Sequence, residues 1–153
     1  MGRLWLTPRE QTAWRTFINT LPELNAAFEA DIAPHGLTMG DYEVLVLLSE
    51  AAGTRLRMCD LAAALRLSPS GLTRRLDGMV RNGWVSRVAC SGDRRVMYAM
   101  LTTQGSKKME SAAPDHVASV RRHFIQPLGS DGINQMCDLF GAVKSHLEES
   151  RSA

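Results

Sequence analysis

Between Pro8 and about Ile32 the apolar residues Trp14, Phe17, Ile18, Leu21, Leu24 and Phe28 recur at three- and four-residue steps. One stripe at that spacing predicts an amphipathic helix. Thr7 is its candidate cap, Pro8 suits its first turn, Pro22 is expected to bend it, and Pro34 with Gly36 to close it. A second helix is predicted from Thr38, a capping residue with Asp41 one turn on. Tyr42, Val44, Leu45, Val46, Leu47 and Leu48 cover most of its circumference, so it belongs in the middle of a core. The short alternating stretch TRLRM after Gly53 predicts a minor strand. It leads into CDLAAALRLS, a helix of little more than two turns with Leu61 and Leu65 inward.

The chain restarts at Ser68-Pro69, an N-cap followed by a residue preset for the first helical turn. In SPSGLTRRLDGMVRNGWVSR, residues Leu72, Leu76, Met79 and Val80 form the expected buried stripe. Ser70, Thr73, Arg74 and Asp77 share the outward face, with Arg75 to one side. Two short helices joined so tightly make a helix-turn-helix candidate. WVSRVAC and RVMYAMLT then flank Ser91-Gly92-Asp93-Arg94 as a β-hairpin with a basic tip. Further helices are expected from Thr103 to about Pro127, kinked near Pro114, and from Asp131 to Glu148 with Ile133, Met136, Leu139, Phe140, Val143 and Leu147 as a stripe. The fold class expected is mostly α with a small β-hairpin wing.

Charge sharpens this picture, although the net charge of +2 says little by itself. Residues 1–60 carry five arginines against eight carboxylates, and residues 99–153 carry six cations and six carboxylates. Residues 61–98 carry seven arginines against Asp77 and Asp93, a net of +5. The basic segment is therefore the one containing the outward-facing helix and the hairpin. Short hydroxyls beside forked guanidinium groups suit base edges and phosphates in a major groove wide enough to admit a helix. A hairpin directly after such a helix can lie along the sugar-phosphate backbone or enter the adjacent minor groove.

LTMGDYEVLVLLSEA, DLAAALRLSPSGLTRRLDGMVRNGWVSR and CSGDRRVMYAMLTTQG, taken in order, closely resemble the consecutive signatures of the MarR family of bacterial winged-helix transcription regulators. The most specific part is the pattern Asp93, Arg95, Leu101, Thr102, Gly105 across wing and following turn. The resemblance covers nearly the whole chain. It implies a single domain over 1–153, with a winged helix-turn-helix lobe at 37–103 and dimerisation helices at 7–34 and 104–150. It also implies a homodimer on a pseudo-palindromic double-stranded DNA operator, usually a repressor released by a small ligand or by oxidation. Carried onto this chain, the DNA-contacting positions are Ser68, Ser70, Thr73, Arg74 and Arg75 on the reading helix, with Arg94 and Arg95 in the wing. Asp77 should repel phosphates and is expected to orient a wing arginine instead. The aromatic, often anionic, effectors of the family point to Trp14, Phe17, His35 and Tyr42 as pocket candidates, although each also reads as ordinary core or surface.

Dimerisation has its own warrant, because one copy offers no obvious place to bury both terminal stripes, whereas two copies packed about a two-fold axis do. The plainer alternative is an intramolecular helical core. Two reading helices must enter successive major grooves about 34 Å apart, so their spacing governs affinity. An effector lowers affinity only by binding a wrongly spaced state better.

Other function classes find little here. No glycine-rich phosphate loop, G-x-S-x-G elbow or metal-ligand His/Cys spacing is present, so an enzyme, a cofactor and a metal are not expected. His116 and His123, beside Arg121 and Arg122, read as a solvated face. No run approaches the about 18 apolar residues a bilayer requires, and MGRLWLTPREQTAW lacks the features of a secretory signal, so a cytoplasmic location is expected. Cys59, Cys90 and Cys137 fit no disulfide framework. Cys59 opens the first helix of the motif, where the family commonly has a capping serine or threonine. It is expected to be a small buried residue; the sharper reading is a redox sensor, since helix N-termini lower thiol pKa values. The redox-sensing branch carries its cysteine near the end of the first helix, however, where this chain has none. A last alternative is a structural or protein-interaction dimer whose basic patch lacks operator specificity.

Overall fold

In the computed structural model of the protein, residues 5–93 and 95–152 are described. The order is α1 (Pro8–Ile32), a 3-10 turn (Ala33–His35), α2 (Met39–Glu50), β1 (Arg55–Arg57), α3 (Met58–Ala64) and α4 (Pro69–Arg81). Then come β2 (Val85–Ala89), β3 (Met97–Leu101), α5 (Thr103–Val120), a wide π-type turn (Arg121–Ile125) and α6 (Gln126–Ser152). The chain is mostly helical with one small antiparallel sheet, as its hydrophobic periodicity predicts. The sheet order is β1-β3-β2: the hairpin strands pair from Val85↔Leu101 to Ala89↔Met97, and the minor strand adds to β3 from Arg55↔Met100 to Arg57↔Tyr98.

The chain divides into two compact units, Met1–Phe28 with Val117–Ala153, and Glu29–His116. The second unit holds the helix-turn-helix and the hairpin. Its centre is α2, whose Tyr42, Val44, Leu45 and Leu48 are buried together with Leu61, Leu72, Leu76, Met79, Val85 and Ala99. Thr38 caps α2 reciprocally: its hydroxyl accepts the Asp41 N–H at 3.1 Å, and the Asp41 carboxylate accepts the Thr38 N–H at 3.1 Å. Two orphan amides at the helix end are thereby satisfied.

The Leu101-Thr102-Gly105 pattern is the joint that ties the wing and the end of α4 to α5. Thr102 Oγ1 accepts the Gly105 N–H at 3.0 Å, capping α5, and donates to the Gly83 carbonyl at 2.6 Å. A Cβ at Gly105 would collide with the Trp84 carbonyl, so only glycine fits this approach. Lys108 completes the joint by lying over the Trp84 ring, 5.3 Å from its centroid.

Several expectations need correction. Val80 is 37% exposed, not part of the buried stripe. At about 100° per residue it stands about 80° from Leu72, at the rim of the face that Leu72, Leu76 and Met79 fill. Cys59 is exposed, because the inward face of short α3 is taken by Leu61 and Ala62. Helix α5 runs through Pro114 without a break, and an irregularity appears instead in the Arg121–Ile125 turn; the boundary expected between Pro127 and Asp131 is the break at Gly129, whose φ of 63° is non-helical. His116 and His123 are half-buried, His116 with its ring 4.7 Å from that of Tyr42 and His123 edge-on to Phe28 at 6.4 Å. In the first unit Trp14, Ile18, Leu21, Leu139, Phe140, Val143 and Leu147 remain exposed. Among the described residues no helix is long and apolar enough to cross a membrane.

Candidate nucleic-acid interface

The reading helix α4 begins where the sequence says it should. Ser68 Oγ accepts the Gly71 N–H at 3.1 Å, and Pro69 occupies the first turn. Three apolar residues on one side, Leu72, Leu76 and Met79, hold the helix in the core at 0–1% exposure. That anchoring leaves Ser70, Thr73 and Arg74 exposed on the other side. The Ser70 hydroxyl lies 3.2 Å from that of Ser68, and Thr73 Oγ1 donates to the Pro69 carbonyl at 3.0 Å. Both hydroxyls therefore keep fixed positions along the helix start.

The two adjacent arginines part company. Arg74 is exposed, whereas Arg75 is half-buried and turned back to α2. Its Nη1 donates to Thr38 Oγ1 at 3.4 Å and stands 3.7 Å from Asp41 Oδ1. Helix spacing already sets Arg75 about 100° round from Arg74; the fold shows what it meets there, the capped start of α2.

Asp77 is the carboxylate of this face, half-buried and paired with the wing. It accepts a hydrogen bond from Arg87 Nη2 at 2.8 Å, and the same nitrogen donates to the Thr73 carbonyl at 3.0 Å. Arg87, on β2, was not among the residues singled out from the sequence. It is the arginine that joins the wing's first strand to α4, and its signal is its position two residues after the buried Val85, on the same face of the strand. At the wing tip Arg95 has a side chain 92% exposed. Asp93 Oδ1 accepts its backbone N–H at 3.0 Å and its Nε at 3.2 Å. These bonds, the side-chain one foremost, hold the Asp93 carboxyl below its ordinary pKa. Arg94 lies outside the described residues. Cys90, in the same turn, has its thiol pKa lowered, chiefly by the backbone amides of Gly92 and Asp93.

Between the start of α3, α4 and the wing lies an open cavity of about 500 Å³, lined among others by Arg57, Cys59, Thr73, Arg87, Arg95 and Met97. The pocket candidates fall in different units: Trp14 and Phe17, ring centroids 6.3 Å apart, in the first, and His35 and Tyr42 in the second. His35 Nε2 pairs with Asp115 at 2.8 Å.

Comparison with known proteins decides the family. The family model for MarR matches residues 37–97, the stretch that holds α2, the helix-turn-helix and most of the hairpin. The solved structure of AbsC, a MarR family transcriptional regulator from Streptomyces coelicolor, is 43% identical, covering 95% of this chain and 98% of AbsC with a TM-score of 0.88. The chain belongs to the MarR family. Members of the MarR family are transcriptional regulators and not enzymes. A second MarR regulator of Streptomyces coelicolor, Sco3205, solved in complex with DNA, is 30% identical over 95% of this chain and 92% of its own, again with a TM-score of 0.88. The HTH-type transcriptional repressor YetL of Bacillus subtilis (strain 168) is 33% identical over 98 residues, which are 64% of this chain and 59% of YetL.

Proposed function

We propose that the protein is a sequence-specific double-stranded DNA-binding regulator that works as a homodimer, with α4 of each copy in a major groove and Arg95 on the flanking backbone. The observation that carries this is the outward face of α4, where Ser70, Thr73 and Arg74 stand exposed beside an almost fully exposed Arg95. Sco3205, solved with DNA, supports the same use of the fold in this chain. Ser68, Ser70, Thr73, Arg74 and the wing arginines Arg94 and Arg95 are the proposed contact region, acting in the cytoplasm, while Arg75 faces the start of α2.

The homodimer rests on the exposed apolar stripe of the first unit, from Trp14 to Leu21 and from Leu139 to Leu147, which a second copy would cover. A repressor role follows the description of YetL as a repressor. Release by a small aromatic effector completes the reading. The exposure of Cys59 favours one further route to release, oxidation of its thiol; unchanged DNA affinity after peroxide treatment would dispose of it.

A salt titration with selected and scrambled duplexes tests the main reading. A regulator prefers its operator by about 10³-fold or more, while a merely basic dimer binds both duplexes equally and with steep salt dependence. Light scattering of the purified protein checks the dimer.

A further inference from the structure

Three features of the structure bear on the role of Arg75. The first is its partner set. Thr38 and Asp41 already complete a reciprocal cap on α2, using Thr38 Oγ1 and Asp41 Oδ2. Arg75 Nη1 adds to both residues, donating to the remaining lone pair of Thr38 Oγ1 at 3.4 Å and facing Asp41 Oδ1, the oxygen the cap leaves over, at 3.7 Å. The second is electrostatic. A cation at a helix N-terminus works against the helix dipole, so this is not a resting place for a loose arginine; the Asp41 charge is what makes it favourable. The third is Gly40, in the first turn of α2. Glycine in a helix costs about 0.5–1 kcal/mol relative to alanine, and here the backbone angles do not require it. A Cβ at Gly40 would collide with the Arg75 guanidinium. That guanidinium is the movable end of a flexible side chain, so a Cβ here would displace it from Thr38 and Asp41.

We infer that Arg75 is a positioning residue: it locks α4 onto the capped start of α2 through Thr38, Asp41 and Gly40. The forked recognition at this level of α4 then falls to Arg74 alone. Fixing a reading helix by a second contact outside the hydrophobic core sharpens the angle at which its side chains meet the groove, since small displacements of a polar constellation weaken every bond it makes. This inference rests on the proposed DNA-reading function and refines it.

The test uses the full-length protein with the duplex it selects best from a random pool, single-base variants of that duplex, and a salt series. Arg75→Ala and Gly40→Ala should each weaken binding by about three- to tenfold, the loss of roughly one hydrogen-bonded anchor. Both should leave the base preference at every position and the slope of affinity against salt unchanged. The double variant should bind no worse than either single one, because both changes break the same contact. Arg75→Lys should recover part of the affinity, and urea unfolding confirms that each variant is folded. Arg74→Ala, by contrast, should lose preference at one position in each half-site. Loss of preference at one base pair in Arg75→Ala, a salt slope lower by about one, or additive losses in the double variant would overturn the lock while leaving the DNA-reading function intact. Equal binding of all duplexes by the unaltered protein would overturn both.

Discussion

Replacing Thr102 by valine keeps the shape of the side chain and removes only its hydroxyl, so the cost can be worked from two bonds. The first is the cap on α5, the Gly105 N–H accepted at 3.0 Å; losing a threonine cap costs about 1 kcal/mol. The second is the 2.6 Å bond donated to the Gly83 carbonyl, which then sits half-buried without this donor at a cost of about 1 kcal/mol, the low end for a group that water can partly reach. The Trp84 carbonyl is spared, because it also accepts the Thr102 backbone N–H at 3.1 Å. Thr102→Val should therefore lose about 2 kcal/mol, which for a chain of this size lowers Tm by about 4–8 °C. Thr102→Ser keeps the hydroxyl and should recover most of the loss. Circular dichroism melts at one fixed protomer concentration make the comparison fair, since association shifts apparent stability. Equal Tm values for Thr102→Val and the unaltered protein, or for the valine and serine variants, would refute the joint described above.

Other expectations are simpler to state. Leu76→Ala, at a position with 0% exposure, should cost about 2–5 kcal/mol in urea unfolding, whereas Val80→Ala at the rim of the same helix should cost about 1 kcal/mol or less. Burial pushes the His116 pKa below its ordinary 6.5, so the unfolded chain takes up the proton first. Its contribution is fully present above pH 6.5 and is lost as pH falls through the lowered folded value; Tm measured from pH 8 to 5 should fall more steeply for the unaltered protein than for His116→Phe, and parallel curves would count against it. Arg95→Ala should weaken all duplexes evenly and lower the salt slope by about one, as a lost phosphate contact does.

How much of this was legible in the sequence depends on which interactions are local. The caps at Thr38 and Ser68, the hairpin, and the stripe Leu72, Leu76, Met79 follow from spacing within one element, and the structure has them where the spacing puts them. What spacing misses is tertiary. Arg74 and Arg75 are neighbours in the chain, yet one faces solvent and the other the start of α2; spacing sets Arg75 to one side of the outward face but does not name its partner, Thr38 with Asp41. Asp77 was expected to hold a wing arginine, but which one, Arg87, is set by the register that brings β2 against α4. For Cys59 the general tendency of cysteine to be buried is overridden by the narrow inward face of α3. Pro114 signals a kink that α5 does not show, while the break at Gly129 falls between Pro127 and Asp131, where the two helical patterns part.

The most direct measurement is selection of bound duplexes from a random pool by the purified protein, followed by alignment of the enriched sites. Two reading helices related by a two-fold axis should enrich an inverted repeat with half-sites one helical turn, about 34 Å, apart, preferred by about 10³-fold over scrambled duplex. An unenriched pool, bound with equal affinity at every salt concentration, would contradict the reading of α4 and the wing as a DNA-recognition surface.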